Sequence, residues 1–253
     1  QSVFNNAFAS PTIIGVNSGA GLFTALATAF FPANLSIMPL AAFLGAFLAT
    51  IVVYYVARKT GASRMTIILA GVAVSSLVGA MTDTVLILFP DTVISRTSFI
   101  IGGLSGVTMN RLLMPGIIIF ISLITTFIFS YDLNVLSLGD QTSKSLGLNV
   151  DKTRFLFIIL SSLLSGSVIS FAGLLGFIGL IVPHISRLIV GYDNRILIPT
   201  SVLIGSSFAL FCDILARTIF APYEVPVGII MSFLGSPFFI YLLLNKKRRL
   251  MYD

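Results

Sequence analysis

Few residues in this chain could do chemistry. His184 is the single histidine and follows Pro183; it has neither the companions of a metal site nor a nucleophile to serve, so local hydrogen bonding is the expected role. Cys212, the single cysteine, lies in an apolar segment; it reads as a small core residue, and no intrachain disulfide is possible. No G-x-x-x-x-G-K-S/T run occurs, so any ATP must be hydrolysed by another chain. Gly173, Gly176 and Gly179 recur every three residues in an apolar run, which suits helix packing and not the G-x-G-x-x-G of a dinucleotide site. No catalytic residue, metal or cofactor is expected. Asp213 and Arg217 stand four apart on one helix face; they can pair with each other, and Arg217 can also receive an acidic partner. Asp83 sits in an apolar span, buried or nearly so, where an acid is a candidate for proton coupling unless its nearness to Pro90 lets it reach the interface.

One polar stretch, residues 130–154, stands out between long apolar segments. Ser137-Leu138-Gly139-Asp140 has the S-x-x-D form of a capping box, with Asp140 where a helix dipole favours negative charge. Lys144 falls in the last turn and Gly147 is placed to end the helix in a left-handed conformation. The spacing predicts a short helix over 138–146, outside the hydrocarbon and held between two spans. It suits a docking element on which a cytoplasmic partner pushes.

The elements around these residues follow from composition. Hydrophobic residues make up 57% of the chain and charged residues 9%, against about 25% charged in a soluble domain. The mean hydropathy is +1.05. The class is an all-α polytopic membrane protein, a single domain over 1–253, because the apolar runs reach the roughly 20 residues a spanning helix needs. Spans are predicted at 13–31, 35–56, 65–89, 111–130, 154–172, 196–216 and 227–244, with 173–195 crossing back as a helix broken at Pro183. That makes about eight transmembrane segments. Residues 91–103 are amphipathic and too short to cross, so they lie at the interface. The small residues Gly15, Ser18, Gly19, Ala20 and Gly21 let helices approach closely.

The net charge of +6 is read as cytoplasmic loops beside anionic lipid and not as a nucleic-acid footprint. Alternating the spans puts Arg58, Lys59, Arg64, Lys144, Lys152, Arg154, Arg187, Arg195 and the four cations from Lys246 to Arg249 on one side. Only Arg96, Arg111 and Arg217 fall on the other. The first group is therefore cytoplasmic. If 173–195 did not cross, Arg217 and the tail would exchange sides.

Several ordered motifs carry a resemblance. Gly176-Phe177-Ile178-Gly179-Leu180-Ile181-Val182-Pro183-His184-Ile185-Ser186-Arg187, then Asp193-Asn194-Arg195, resembles the signature of the permeases that import ferric siderophores, haem and cobalamin through ATP-binding-cassette (ABC) transporters, the FecCD type. Cys212 to Arg217, Glu224-Val225-Pro226-Val227-Gly228 and Leu234-Gly235-Ser236-Pro237-Phe238-Phe239 are similar to that family's last third; Gly15-Val16-Asn17-Ser18-Gly19-Ala20 is similar to its early glycine-rich motif. The chain departs from the pattern at Asn6-Ala7-Phe8-Ala9-Ser10-Pro11, where the family has Asn-Pro-Leu-Ala-Asp-Pro. The family has ten helices, so the resemblance implies that the first helix and most of the second are missing before Gln1. It further implies a second permease copy or paralogue around a central path, two ATPase subunits, an extracytoplasmic solute-binding protein, and the bacterial cytoplasmic membrane as location. Leu138, Gly139, Asp140, Thr142, Leu146 and Gly147 would couple to the ATPase. Arg217, Glu224 and Arg96 would dock the binding protein. Asn6, Phe8, Gly61, Ala62 and Ser63 would line an inner gate. An ion-coupled secondary transporter is the alternative, and it would want more ionisable residues at mid-membrane.

Overall fold

The small residues of the first two long segments set the packing of one half of the molecule. In the computed structural model, which describes residues 1–6, 9–32, 37–59 and 64–249, a 3-10 turn at Pro11–Ile14 leads into helix α1 (Val16–Phe30). Helix α2 is Met38–Lys59. Where the two cross, an ideal Cβ at Gly19 would stand 2.1 Å from the Gly45 carbonyl oxygen, and one at Gly45 would stand 2.2 Å from that of Gly19. Only glycine on both sides permits this separation. The sequence reading of one continuous span over 13–31 is corrected here. Gly15 takes a left-handed φ of 80° and closes the turn on Thr12 before α1 begins.

The remaining helices are α3 (Arg64–Leu88), α4 (Thr92–Ile101), α5 (Met109–Ile128), α6 (Ser130–Ser137), α7 (Asp140–Ser145), α8 (Val150–Ala172), α9 (Ile178–Val190), α10 (Asn194–Thr218) and α11 (Val227–Arg249). Five of them, α2, α3, α5, α8 and α10, are long and apolar enough to cross a membrane. α1, α9 and the apolar part of α11 are shorter apolar helices, which brings the apolar segments to the expected eight. The main core gathers Val16, Ala20, Ala46, Val53, Phe157, Ile158 and Ile169 from α1, α2 and α8. A second core joins Cys212 and Ala216 of α10 to Val227, Ile230 and Met231 of α11. Cys212 is fully buried there, as its setting predicts.

Segment 173–195 crosses the molecule in two pieces. Its start is pinned beside the end of α4: the Gly103 N–H donates to Ala172 and the Leu174 N–H to Phe99. Its far end reaches α6, where the Asn194 N–H donates to Asn134 Oδ1 at 2.9 Å. α9 has 13 residues, about 20 Å at 1.5 Å per residue, too short for a hydrocarbon core of about 30 Å. The non-helical residues 173–177 supply the rest. Phe177, at φ 61°, turns the chain into α9. Pro183 lies inside α9 and does not end it. The molecule therefore has two polar faces, one holding α6, α7 and the starts of α8 and α10, the other holding the end of α4 and the loop between α10 and α11.

The α1–α2 crossing predicts that Gly19→Ala lowers the detergent-solubilised unfolding temperature, by an overpacking cost of about 1–3 kcal/mol or more because backbone faces backbone. Gly21→Ala, whose added carbon meets nothing within 4 Å, leaves it unchanged or slightly raised. Equal melting of the two variants in thermal scans would contradict the close crossing.

Candidate functional site

The α7 face is built on a chain break. Gly139 adopts φ 105° and ψ 158°, which ends α6 and starts α7 as its N-cap. This corrects the expected capping box. The Ser137 hydroxyl donates instead to Asn134 O at 2.7 Å, and α7 has no side-chain cap. The helix is Asp140–Ser145 and not 138–146, so Leu138 and Leu146 flank it and are not stacked on one helical face. The C-terminal end is as expected: Gly147 is left-handed at φ 84°. Its N–H donates to Lys144 and the Leu148 N–H to Ser143, the two bonds of a Schellman motif. Leu138 and Leu146 are 60% and 62% exposed, and Thr142 is exposed between them.

Two fully or nearly buried polar side chains hold α7. The Ser143 hydroxyl lies 2.7 Å from the carbonyls of Val135 and Gly139, tying α7 to α6. Arg154 Nη2, on the first turn of α8, lies 2.7 and 2.8 Å from the two carboxylate oxygens of Asp140. The Arg154 side chain is 2% exposed and that of Asp140 40%. Sequence reasoning placed Arg154 at the cytoplasmic-side head of the span 154–172; its side chain is interior. The signal was there, because an arginine at the head of a spanning helix and followed by Phe155 needs a partner. Asn134 was missed altogether. It accepts from the Asn194 N–H and amide and donates to Asp193 Oδ1 at 2.7 Å. The Arg195 N–H and then the Asn134 amide hold the Asp193 carboxyl below the usual carboxylate range. Arg195 lies over the Tyr131 ring, 4.9 Å from its centroid. Asn6 belongs to this face: its segment buries Val3 in the same core as Tyr54, Leu133 and Val150. Phe8, Gly61, Ala62 and Ser63 lie outside the described residues.

The opposite face joins Arg217 to two carboxylates. Arg217 Nε donates to Asp213 Oδ2 at 2.9 Å, and Nη1 stands 3.9 Å from Glu224 Oε1. The Ser105 hydroxyl donates to Glu224 Oε2 at 2.5 Å. The expected Asp213–Arg217 pair is formed, and Glu224, Ser105 and Arg111 join it around a cavity of about 560 Å³. Ser105 carried no signal in the sequence. Arg217 remains 46% exposed. Arg96 falls within α4, on this face, and its side chain is not among those described. Backbone bonds close the floor: the Gly228 N–H donates to Gly102 and the Val225 N–H to Ala216. Asp83, expected to be buried or nearly so, is exposed on α3. His184 is half-buried in α9, with its ring edge-on to Phe238 at 6.4 Å.

Apolar helices threaded between two hydrogen-bonded polar faces define a polytopic membrane protein. Residues 1–245 match the FecCD transport family. The chain is 36% identical to the iron(3+)-hydroxamate import system permease FhuG of Bacillus subtilis, over 97% of this chain and 76% of that protein. It is 36% identical to the cobalamin import system permease BtuC of Halobacterium salinarum, over 98% of this chain and 67% of that one. Its fold superposes with a TM-score of 0.88, at 28% identity, on a solved ABC transporter assigned to the metal-chelate type in an inward-facing conformation, covering 96% of this chain and 79% of that one. The chain belongs to the FecCD transport family, and it is a membrane-spanning permease subunit of the ABC importer class.

Proposed function

We propose that this permease forms the path for a ferric siderophore in a bacterial cytoplasmic membrane, with haem or cobalamin as the other cargoes of its class. Relatives named for iron–hydroxamate, cobalamin and hemin import support that range. It works as a pair with a second copy or a paralogue. Two ATPase subunits supply the energy, and an extracytoplasmic binding protein delivers the cargo.

The observation that carries the reading is the α7 face. Two leucines, each about three-fifths exposed, flank a six-residue helix whose own residues are all polar. Exposed leucines outside the hydrocarbon have no lipid to cover them and suit a cleft on the ATPase. ATP-driven closure of that subunit then moves α7. The inner gate is assigned to Asn6, Phe8, Gly61, Ala62 and Ser63. Arg217, Glu224 and Arg96 are assigned to docking the binding protein. Because Asp213 and Glu224 already partner Arg217, an acidic residue of that protein shares or displaces a carboxylate and does not meet a free cation.

Burying a leucine is worth about 1.5–3 kcal/mol, so Leu138→Asp/Leu146→Asp is expected to insert and purify normally while losing the copurifying ATPase. Wild-type stoichiometry in that pull-down would remove the coupling role. On the other face, Arg217→Glu places three carboxylates together and is expected to weaken binding-protein docking by roughly tenfold at low salt, with a smaller difference as salt rises. Unchanged affinity at low salt by surface plasmon resonance would sink the charge contact.

A further inference from the structure

We propose that the Asp140–Arg154 pair is a strut that makes α7 and α8 move as one body, so that Arg154 is a positioning residue for transport. This rests on the reading of α7 as the coupling helix. A helix of six residues does not hold its own shape in water, and a push on α7 does work only if its displacement passes to a spanning element. α6 receives it through the Ser143 hydroxyl. α8 receives it through Arg154, whose Nη2 meets both oxygens of Asp140 at 2.7 and 2.8 Å.

α8 is suited to receive it. It packs along α2 and α5, and its first turns bury Val150, Phe157 and Ile158 in the main core. Phe155 meets Tyr54 of α2 with ring centroids 4.5 Å apart. A displacement of Arg154 therefore acts on the cytoplasmic-side half of α2 as well, the helix that leads to the proposed gate residues Gly61 to Ser63. Stability alone does not account for the pair. Apolar residues packed in place of a buried ion pair serve stability as well or better, whereas charged groups in contact fix direction and separation. The arginine is nearly sealed from solvent while its carboxylate sits at the surface of α7. The connection thus runs from the docking surface into the bundle.

The test measures the distance between spin labels on Lys144→Cys in α7 and Lys152→Cys in α8. Both positions are exposed, and the buried Cys212 stays unlabelled. The permease is examined in nanodiscs, alone and with its ATPase subunits, nucleotide-free and with ATP. With Asp140 intact, one narrow distance is expected in every state. Asp140→Asn is expected to broaden it in the permease alone and to shift it when ATP binds to the complex. Asp140→Glu, which keeps the charge, is expected to restore the narrow distance. A distance that shifts with ATP while Asp140 is intact overturns the proposal, and so does one that stays narrow in Asp140→Asn. Failure of Asp140→Asn to insert also overturns it, by making the pair a folding determinant. The coupling reading fails separately, if the ATPase still copurifies with Leu138→Asp/Leu146→Asp.

Discussion

The structure depends on how non-helical backbone is carried through a membrane-spanning bundle. Hydrocarbon offers no hydrogen bonds, and each unsatisfied N–H or C=O there costs several kcal/mol. Residues 173–177 have no helix of their own, yet they must lead from the end of α8 to the head of α9. The end of α4 meets the need: Phe99 accepts from Leu174, and Gly103 donates to Ala172. Glycine at these points is a steric requirement, since a Cβ at Gly102 would stand 2.3 Å from the Leu174 oxygen and one at Gly173 would stand 2.5 Å from the Phe99 oxygen. α4 is too short to span but is the clamp that lets a 13-residue helix complete a crossing.

That crossing separates the two sets of polar contacts. Had 173–195 turned back, α10 would begin beside α4, and Arg217 would share a face with α7. Instead Asn134 holds Asp193 and Asn194 at the α6 end, and Arg217, in the last turn of α10, lies at the other. The two sets of polar contacts are thereby joined by continuous helices, α8 and α10.

The spans were legible because length and hydropathy alone decide them. The break in 173–195 was misplaced: Pro183 stays within α9, and the non-helical residues are Gly173 to Phe177. The short helix in the polar stretch was found but misdrawn. Ser137 and Asp140 have the spacing of a capping box, and nothing in composition says that Gly139 will take a positive φ and end the preceding helix first. Asp213 and Arg217 were legible as neighbours on one helix. Ser105 and Glu224, 119 residues apart, meet only because the fold brings two loops together. For Arg154 the need for a partner was legible from its place at the head of a span, but not which residue it is, because Asp140 lies across a turn.

The central claim is that the chain crosses between Gly173 and Gly191, which puts α7 and Arg217 on opposite sides of the membrane. Tyr192 and Tyr223 are 81% and 79% exposed; Tyr192 lies between α9 and α10, and Tyr223 follows the end of α10. Single cysteines at these positions, challenged with a membrane-impermeant maleimide in intact cells and in inverted vesicles, test the claim most directly. The account predicts that Tyr223→Cys labels only in intact cells and Tyr192→Cys only in inverted vesicles. The reverse pattern, Tyr192→Cys labelling only in intact cells and Tyr223→Cys only in inverted vesicles, is what a segment 173–195 that turned back would give, and it would contradict the account.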